Sequence, residues 1–123
     1  MITLKDSLDL VYTLLSENMV YKQSFPDDIS DDRFIVINTL GVPKDSIQIV
    51  EVNVNCYAKD ANIQRGIPDL TTLNSMVGDV LSDIEDYHES GVSIDLQMTN
   101  IFREESLNCH YINMRFQLMY LTN

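Results

Sequence analysis

The side chains of this chain that could act as nucleophiles or bases are few. The sequence holds two cysteines, Cys56 and Cys109, and two histidines, His88 and His110. Cys109 and His110 are adjacent in a predicted strand, where neighbours point to opposite faces of the sheet, so we expect no thiol–imidazole pair. We expect both cysteines to be buried, reduced thiols of an intracellular protein, with a single disulfide bridge as the alternative. His88 lies at a predicted helix end, where a cation complements the helix dipole, and for His110 we expect a side-chain hydrogen bond.

Acidic side chains form two groups that could bind a cation or transfer protons. The first group lies in one loop and consists of Asp27, Asp28, Asp31 and Asp32. Its sixth position is Asp32, whereas an EF-hand calcium loop requires glycine there. The second group is a stripe on a predicted helix, made of Asp79, Asp83 and Asp86. Acid–base catalysis by such carboxylates needs an enclosing pocket, so we predict a solvated turn and a solvated helix face.

Motifs that accompany common enzyme chemistries are absent from the sequence. There is no GxGxxG, GxxxxGK[ST], GxSxG or HExxH pattern. The basic residues are scattered, and no strand combines aromatic and basic residues in the manner of an RNA-binding motif. The sequence therefore predicts no catalytic residue, no cofactor and no metal site. An enzyme with a pocket lined by His110, Cys109 or the helix carboxylates is kept as the third of three hypotheses.

Length and charge narrow the classes of function. A chain of 123 residues suits one domain, which we place at residues 1–123. The net charge of −11, from 19 acidic and 8 basic residues, repels phosphate backbones, so we expect no specific nucleic-acid binding. No apolar run approaches the length of a membrane span, and the first residues carry no secretory pattern. We therefore expect a cytoplasmic protein without membrane contact, unless it belongs to a virion.

Hydrophobic spacing predicts two amphipathic helices. The first follows a Thr3 N-cap and ends near Asn18, with an apolar stripe made of Leu4, Leu8, Val11 and Leu15. The second begins near Pro68, which suits a first helical turn, and its stripe consists of Leu73, Val77, Val80, Ile84 and Tyr87. One narrow face of this second helix holds only small residues, Ser75, Gly78 and Ser82. That face either lets another element approach closely or is merely exposed.

Three extended segments lie between the two helices. They are a short piece at residues 19–23, a buried strand at 34–37 and a long strand at 47–58. We predict a turn between the last two, at Gly41, Pro43 and Asp45. Ile49 has the opposite parity from the valines at positions 50, 52 and 54. We therefore predict either a bulge near Ile49 and Val50 or burial of both faces at that end.

The last third of the chain alternates apolar and polar residues twice, which predicts an antiparallel hairpin with a charged tip at residues 103–107. Pairing Phe102 with Asn108 sets a register that places Val92 opposite Leu118, Ile94 opposite Phe116, Leu96 opposite Met114 and Met98 opposite Ile112. On the other face Asp95 then lies opposite Arg115. Together the elements predict an α+β fold, with a mainly antiparallel sheet of four to five strands and two helices packed on it.

The order of these elements resembles that of the phage tail terminator or tail-completion proteins, which join the tail to the head. The likeness spans nearly the whole chain. It consists of an N-terminal helix, an extended Phe25-Pro26 segment leading to the strand Phe34-Ile35-Val36-Ile37, the alternating strand at 50–58, a helix at 70–87 and a closing strand at 110–118. The resemblance implies an α+β fold and a structural subunit without catalytic residues.

The resemblance also implies an assembly within the virion. Proteins of this family form a ring, commonly a hexamer, that contacts the tail tube on one side and the head connector on the other. Such a ring stops tube polymerisation and offers the head a docking surface. An acidic lumen would let DNA pass without adhering, which agrees with the net charge of −11.

Two points about partners stay open at the level of sequence. We place the subunit interface at the hairpin tip and the outer sheet face, and name Arg103, Glu105, Tyr111 and Arg115 for it, the alternative being that these are ordinary solvated residues. The second functional hypothesis is a small monomeric binding or inhibitor module. Its acidic surface would mimic nucleic acid and act on a basic protein partner.

Overall fold

Two helices and five strands follow one another with short connections. The computed structural model of the protein describes residues 4–40, 47–85, 87 and 91–121. The elements are α1 (Leu4–Leu14), β1 (Val20–Lys22), β2 (Arg33–Leu40), β3 (Ile47–Lys59), α2 (Leu70–Glu85), β4 (Val92–Glu104) and β5 (Cys109–Leu121). Predictions that concern Thr3, the turn at Gly41, Pro43 and Asp45, Asp86 and His88 lie outside the described residues.

The strands form one five-stranded sheet in the order β1-β2-β3-β5-β4. Only β1 and β2 run parallel, and the other neighbours are antiparallel. The predicted α+β fold with a mainly antiparallel sheet is therefore confirmed. In this order β1 and β4 are the two edges of the sheet, and β4 is much the longer, with 13 residues against 3.

Both helices pack on the same face of the sheet. Their apolar stripes meet alternate residues of β2, β3 and β5 in one core, because every second side chain of a strand points to the same face. At the centre of this core the fully buried side chains are Val11, Ile37, Val52, Val54, Leu73, Met76, Met114 and Leu118. Burying such a side chain contributes about 1.5–3 kcal/mol, so this core is the main source of stability.

Local interactions end α1 and begin α2. α1 ends at Leu14, earlier than the predicted Asn18, and the backbone N–H and hydroxyl of Ser16 both donate to Asp83 of α2 at 2.8 Å. Asp69 precedes α2, where its carboxylate accepts from the backbone N–H and the hydroxyl of Thr72. Asp69 is thus the N-cap that fixes where α2 starts, a role that the sequence reading did not assign.

The opposite face of the sheet, here called the helix-free face, carries a second apolar cluster. Phe34, Val36, Tyr57 and Cys109 are buried there, against Phe25 and Ile29 of the segment between β1 and β2. Within the acidic loop that was predicted to be a solvated turn, Asp31 accepts a hydrogen bond from Tyr21 at 2.7 Å. The segment therefore covers one end of the helix-free face instead of being only a solvated turn.

The hairpin of β4 and β5 forms, but its predicted register is wrong. Val92 pairs with Tyr120, not with Leu118, and Ile94 with Leu118, not with Phe116. The strands extend further into the charged segment, because Glu105 to Leu107 form a single 3-10 turn closed by Asn108 in the left-handed conformation, with φ 54°. Asparagine tolerates that conformation better than most residues, which makes the turn tighter than the predicted five-residue tip.

A bulge interrupts β4 between Leu96 and Met98. Before the bulge, Leu96 pairs with Phe116 on the helix side, and after it Met98 pairs with Arg115 on the helix-free face. The bulge predicted near Ile49 and Val50 is absent, since the pairing of β3 with β5 runs without a shift. Burial of both faces there is also wrong, because Ile49 is 38% exposed.

Candidate interaction surface

Asparagines form a connected group on the helix-free face. β2, β3 and β5 bring Asn38, Asn53, Asn55 and Asn113 together at neighbouring register positions. The side-chain amide of Asn113 donates to Asn55 at 2.7 Å and to Asn53 at 3.2 Å, and Asn53 donates to Asn38 at 3.0 Å. Because each buried amide has a partner, the group forms a satisfied polar floor in the centre of the sheet.

Arg115 lies beside this floor, and none of the described carboxylates forms an ion pair with it. It pairs with Asn53 of β3 and with Met98 of β4. Its Nε atom is shielded from solvent and has no hydrogen-bond partner within the described part of the chain. Most other cations form ion pairs, namely Lys5, Lys22, Arg33, Lys59 and Arg103. An arginine left unpaired in so acidic a chain marks a position where an anion would be stabilised.

Four aromatic rings cross the sheet in a row next to the asparagines. Phe34 stacks on Tyr57 with ring centroids 4.6 Å apart, Tyr57 stacks on Tyr111 at 4.5 Å, and Phe102 follows at 5.4 Å from Tyr111. Burial raises the pKa of the Tyr57 phenol well above its ordinary value. The row is buried at Phe34 and ends at Phe102, which is exposed on β4. The apolar surface of the cluster therefore continues to the edge of the sheet.

The edge strand β4 exposes apolar side chains on both faces. Leu96 and Ile101 lie on the helix side, and Met98 and Phe102 lie on the helix-free face, all between 40% and 48% exposed. The stretch from Leu96 to Phe102 contains neither a charged residue nor a proline. Natural sheet edges usually carry such residues because they prevent pairing with another chain. Apart from its bulge, β4 has none of these protections in its middle.

The four residues predicted for a subunit interface do not form one patch. Tyr111 and Arg115 share the helix-free face of β5, as predicted for an outer sheet face. Arg103 pairs with His110 on the helix side, forms a 3.3 Å ion pair with Glu105, and lies against Gly66. A Cβ at Gly66 would lie 2.7 Å from the Arg103 Nη2 atom, so glycine allows this close approach. Arg103 and Glu105 at the hairpin tip are therefore separate from Tyr111 and Arg115 on the helix-free face.

His110 has a hydrogen-bond partner that the sequence alone did not reveal. Its Nδ1 atom lies 2.6 Å from Oδ1 of Asp60, a side chain with no exposed surface that follows β3. The predicted side-chain hydrogen bond exists, and across the hairpin His110 pairs with Arg103. Oδ2 of Asp60 has no partner among the described residues. The pair joins the end of β3 to β5 and positions the loop that follows.

The two cysteines cannot form a bridge. Cys56 points into the core beneath the helices, while Cys109 belongs to the cluster on the helix-free face. Both are free, and the Cys109 thiol donates to the Leu107 carbonyl at 3.3 Å. Burial raises the pKa of Cys56 to about 12 and that of Cys109 to about 11. These positions favour the neutral thiol, which is neither a good nucleophile nor a metal ligand.

Two open clefts lie on the helix side of the molecule. One of about 440 Å³ is lined by Ser16, Glu17, Asn18, Met19, Arg33 and Asp79. The other, of about 410 Å³, is lined by Asp32, Arg33, Ala58, Lys59, Asp60, Asp69 and Thr72. Neither is lined by His110 or Cys109, whereas Asp79, one of the helix carboxylates that the enzyme hypothesis also places in a pocket, lines the first. Among the described residues, no group of three acidic, histidine or cysteine side chains is arranged to hold a metal ion.

The sequence contained a partial signal for the surface. Asn53, Asn55 and Asn113 occupy strand positions where a half-buried face usually carries apolar or β-branched residues, and this departure could have drawn attention to them. No such signal indicated that Arg115 lacks an ion-pair partner among the described residues, because the predicted register places Asp95 opposite it. The observed register separates the two, because Asp95 pairs with Gln117 before the bulge and the bulge shifts β4 by one residue more.

Comparison with known proteins does not assign the chain to a family. No family model matches it, and no curated protein matches it. Within the described helices, none combines the length and apolar character needed to cross a membrane.

Proposed function

We propose that the chain is a self-associating structural subunit of a phage neck or tail, acting within a virion assembled in the host cytoplasm. Copies of it form a ring, which we expect to be a hexamer, that closes the tail tube and docks it to the head connector. The observation that carries the proposal is the edge strand β4, whose middle exposes Leu96, Met98, Ile101 and Phe102 without a protecting charge.

An unprotected strand edge supports assembly because its outward N–H and C=O groups can hydrogen-bond another chain. The 13 residues of β4 provide a long template, and its exposed apolar side chains add hydrophobic area on both faces. The other edge, β1, has only 3 residues and offers little by comparison. An edge that meets a different surface of the next copy forms a head-to-tail contact, and such contacts form a ring when the rotation between copies closes.

Charge and architecture support the particular assembly. A net charge of −11 disfavours adhesion to DNA, as suits a ring through which DNA passes. The observed order of one helix, three strands, a second helix and two strands agrees with the order on which the resemblance to tail terminator proteins rests. The function proposed here is mechanical, and the chain's surfaces matter more than any reactive side chain.

Native mass spectrometry and light scattering of the full chain test the proposal, with electron microscopy to identify rings. Ile101→Lys places a charge in the middle of β4 and should dissociate the assembly. Ile63→Lys is a matched control, because Ile63 is 47% exposed and Ile101 is 48% exposed, yet Ile63 lies in the loop between β3 and α2 and not on β4. We expect rings for the wild type and for the control only.

A strictly monomeric wild-type chain at high concentration and in several salts would overturn the proposal. A monomer that binds a defined basic protein with high affinity would instead favour the acidic inhibitor module. Equal loss of assembly in both lysine variants would show that added charge, and not the β4 edge, controls association.

A further inference from the structure

We propose that Arg115 receives a carboxylate from a second copy of this chain, which packs along β4 and over the adjoining helix-free face. This inference rests on the self-association proposed above and names the polar contact that orients it. The contact surface comprises Met98, Asn100, Phe102, Tyr111 and Arg115, which lie on the same face of β4 and β5.

Arg115 has an unsatisfied donor. Its Nε atom is removed from water and unpartnered within the described residues, and no described carboxylate forms an ion pair with it. A buried donor without an acceptor is unfavourable, so the free chain gains when the partly buried guanidinium turns outward to meet an incoming acceptor. Arginine offers a planar fork that matches a carboxylate in a bidentate pair.

The asparagine floor beside Arg115 is held rigidly by its own hydrogen bonds. Asn53, which neighbours Arg115 on β3, is fixed by Asn38 and Asn113 through hydrogen bonds of 3.0 and 3.2 Å. The amide donors of Asn53 and Asn113 are thus directed at other asparagines, and their oxygens are not free to turn toward the guanidinium without breaking that group. The floor holds the strand positions around Arg115 but leaves its charge for an external partner.

Arg115 lies close enough to the open edge of β4 for a chain bound there to reach it. Arg115 lies on β5, directly next to β4, and Met98 is the residue between it and the open edge. A strand added to β4 would run about 10 Å from β5, which is two strand spacings. That gap is within the combined reach of an arginine and an acidic side chain that lean toward each other over Met98. A neighbouring copy bound at the edge can therefore place its carboxylate on Arg115.

The acidic composition of the chain indicates which charged group meets Arg115. Carboxylates are the charged groups in excess on this chain, with 19 acidic residues against 8 basic ones. A second copy therefore offers many candidate carboxylates for the arginine. Met98 at 47% and Phe102 at 46% exposure provide apolar contact on either side of the polar one. An apolar patch around one ion pair is the usual composition of a protein interface.

The test compares Arg115→Met with Arg65→Met, a matched loss of one positive charge. Arg65 is exposed and has no ion pair among the described residues. By sedimentation equilibrium, Arg115→Met should raise the dissociation constant of the assembly about tenfold or more, while Arg65→Met leaves it near the wild-type value. Urea unfolding under dissociating conditions should show a monomer that is no less stable, because the substitution removes an unsatisfied donor.

A cross-linking experiment checks the identity of the partner group. In Arg115→Lys the introduced amine can be coupled to an adjacent carboxylate by a zero-length carbodiimide reagent. With a mixture of ¹⁴N- and ¹⁵N-labelled protein, we expect a mixed-isotope peptide that joins position 115 to an aspartate or glutamate of the other copy. Cross-links confined to one isotope would show an intramolecular partner and overturn the inference.

The outcomes separate this inference from the proposed function. A wild-type chain that never associates overturns both. A wild-type ring that dissociates with Ile101→Lys but not with Arg115→Met, and gives no mixed-isotope link at position 115, overturns only the role of Arg115. Loss of monomer stability in Arg115→Met with unchanged association would assign Arg115 a structural role and likewise overturn it.

Discussion

Arg115 of β5 pairs across the hairpin with Met98, and not with Asp95, which the predicted register places opposite it. Before the bulge the hairpin already differs from the predicted register by two residues, since Asp95 pairs with Gln117. The bulge between Leu96 and Met98 adds one residue more. As a result, the residues opposite Arg115 on the two neighbouring strands are Asn53 and Met98, and neither is a carboxylate.

Met98→Glu should restore an internal partner for Arg115. A carboxylate at position 98 lies directly across the hairpin from the guanidinium, and a favourable cross-strand pair contributes about 0.2–1 kcal/mol. We expect a slightly more stable monomer in urea unfolding, together with weaker self-association, because the internal carboxylate competes with that of a second copy. Met98→Gln is the control, as it has nearly the same shape without the charge. Equal behaviour of the two variants would contradict the prediction.

Asn113→Ala should destabilise the fold. The amide of Asn113 serves two neighbours, Asn53 and Asn55, and its loss leaves buried carbonyl oxygens without donors. An unsatisfied buried group costs about 1–3 kcal/mol, and we expect a loss of that size in urea unfolding. The exposed Asn100, which pairs with Asn113 across the hairpin, gives the control variant Asn100→Ala. If both variants lose the same stability, the amide group is not the reason.

The stacked rings of Tyr57 and Tyr111 should be energetically coupled. With leucine at each position singly and together, a double-mutant cycle should give about 0.5–1.5 kcal/mol of coupling, which is typical of aromatic pairs. The cycle between Tyr57 and Phe102 is the control, because Tyr111 separates their rings. Equilibrium unfolding in urea measures both cycles. A coupling between Tyr57 and Phe102 as large as the first would refute pairwise stacking as its origin.

The N-cap Asp69 should stabilise α2 only when ionised. The hydrogen bonds from the backbone N–H and hydroxyl of Thr72 hold the pKa of this carboxyl below its ordinary value of 3.8. A lowered folded pKa means that the contribution is present above pH 3.8 and is lost as the pH falls through the folded value. Asp69→Ala should therefore lower Tm at neutral pH, and the difference should shrink in acid.

Asp69→Asn is the matched variant for that experiment. Asparagine caps a helix about as well as aspartate does but does not titrate in this range. We expect its Tm to stay close to that of the wild type at neutral pH. A pH-independent effect of Asp69→Ala, measured by thermal melts from neutral pH into acid, would contradict the role of the ionised cap.

The buried thiols should react only after unfolding and should make the fold sensitive to alkali. Burial raises the pKa of Cys56 from 9.0 to about 12 and that of Cys109 from 9.0 to about 11. For a raised folded pKa, the contribution to stability is full below pH 9.0 and is lost as the pH rises toward 11 and 12. A disulfide reagent at pH 8 should label the native protein far more slowly than the protein in urea. Equal labelling rates would show that the thiols are accessible.

Much of the fold could be predicted because it depends on local periodicity. The apolar stripe of α2 and the alternation in β3 identify an element and its buried face from neighbouring residues alone. The short β1 needed more, since its parallel pairing with β2 is a contact between segments that the sequence does not align. The sequence did not reveal the N-cap at Asp69, because Pro68 also suits the first turn of a helix and therefore predicted an earlier start of α2.

Less of the interaction surface could be predicted, and the reason is register. Tyr111 and Arg115 were assigned to the outer sheet face, and the structure places both there, whereas Arg103 and Glu105 form a separate pair at the tip. The bulge in β4 involves one extra residue, and the turn at Asn108 involves one left-handed residue. Small free-energy differences decide such features, yet each moves every later side chain to a new partner.

The sequence by itself determined the class of fold, the acidity and the two elements of the C-terminal hairpin, because these depend on composition and on the spacing of nearby residues. The tertiary structure alone decided which residues meet: Asp60 with His110, Asn113 with Asn53 and Asn55, and Arg115 with no carboxylate among the described residues. Those pairings depend on contacts between distant segments and, for Arg115, on the register of the hairpin. Alternation repeats every two residues, so it specifies a strand's faces but cannot determine its register.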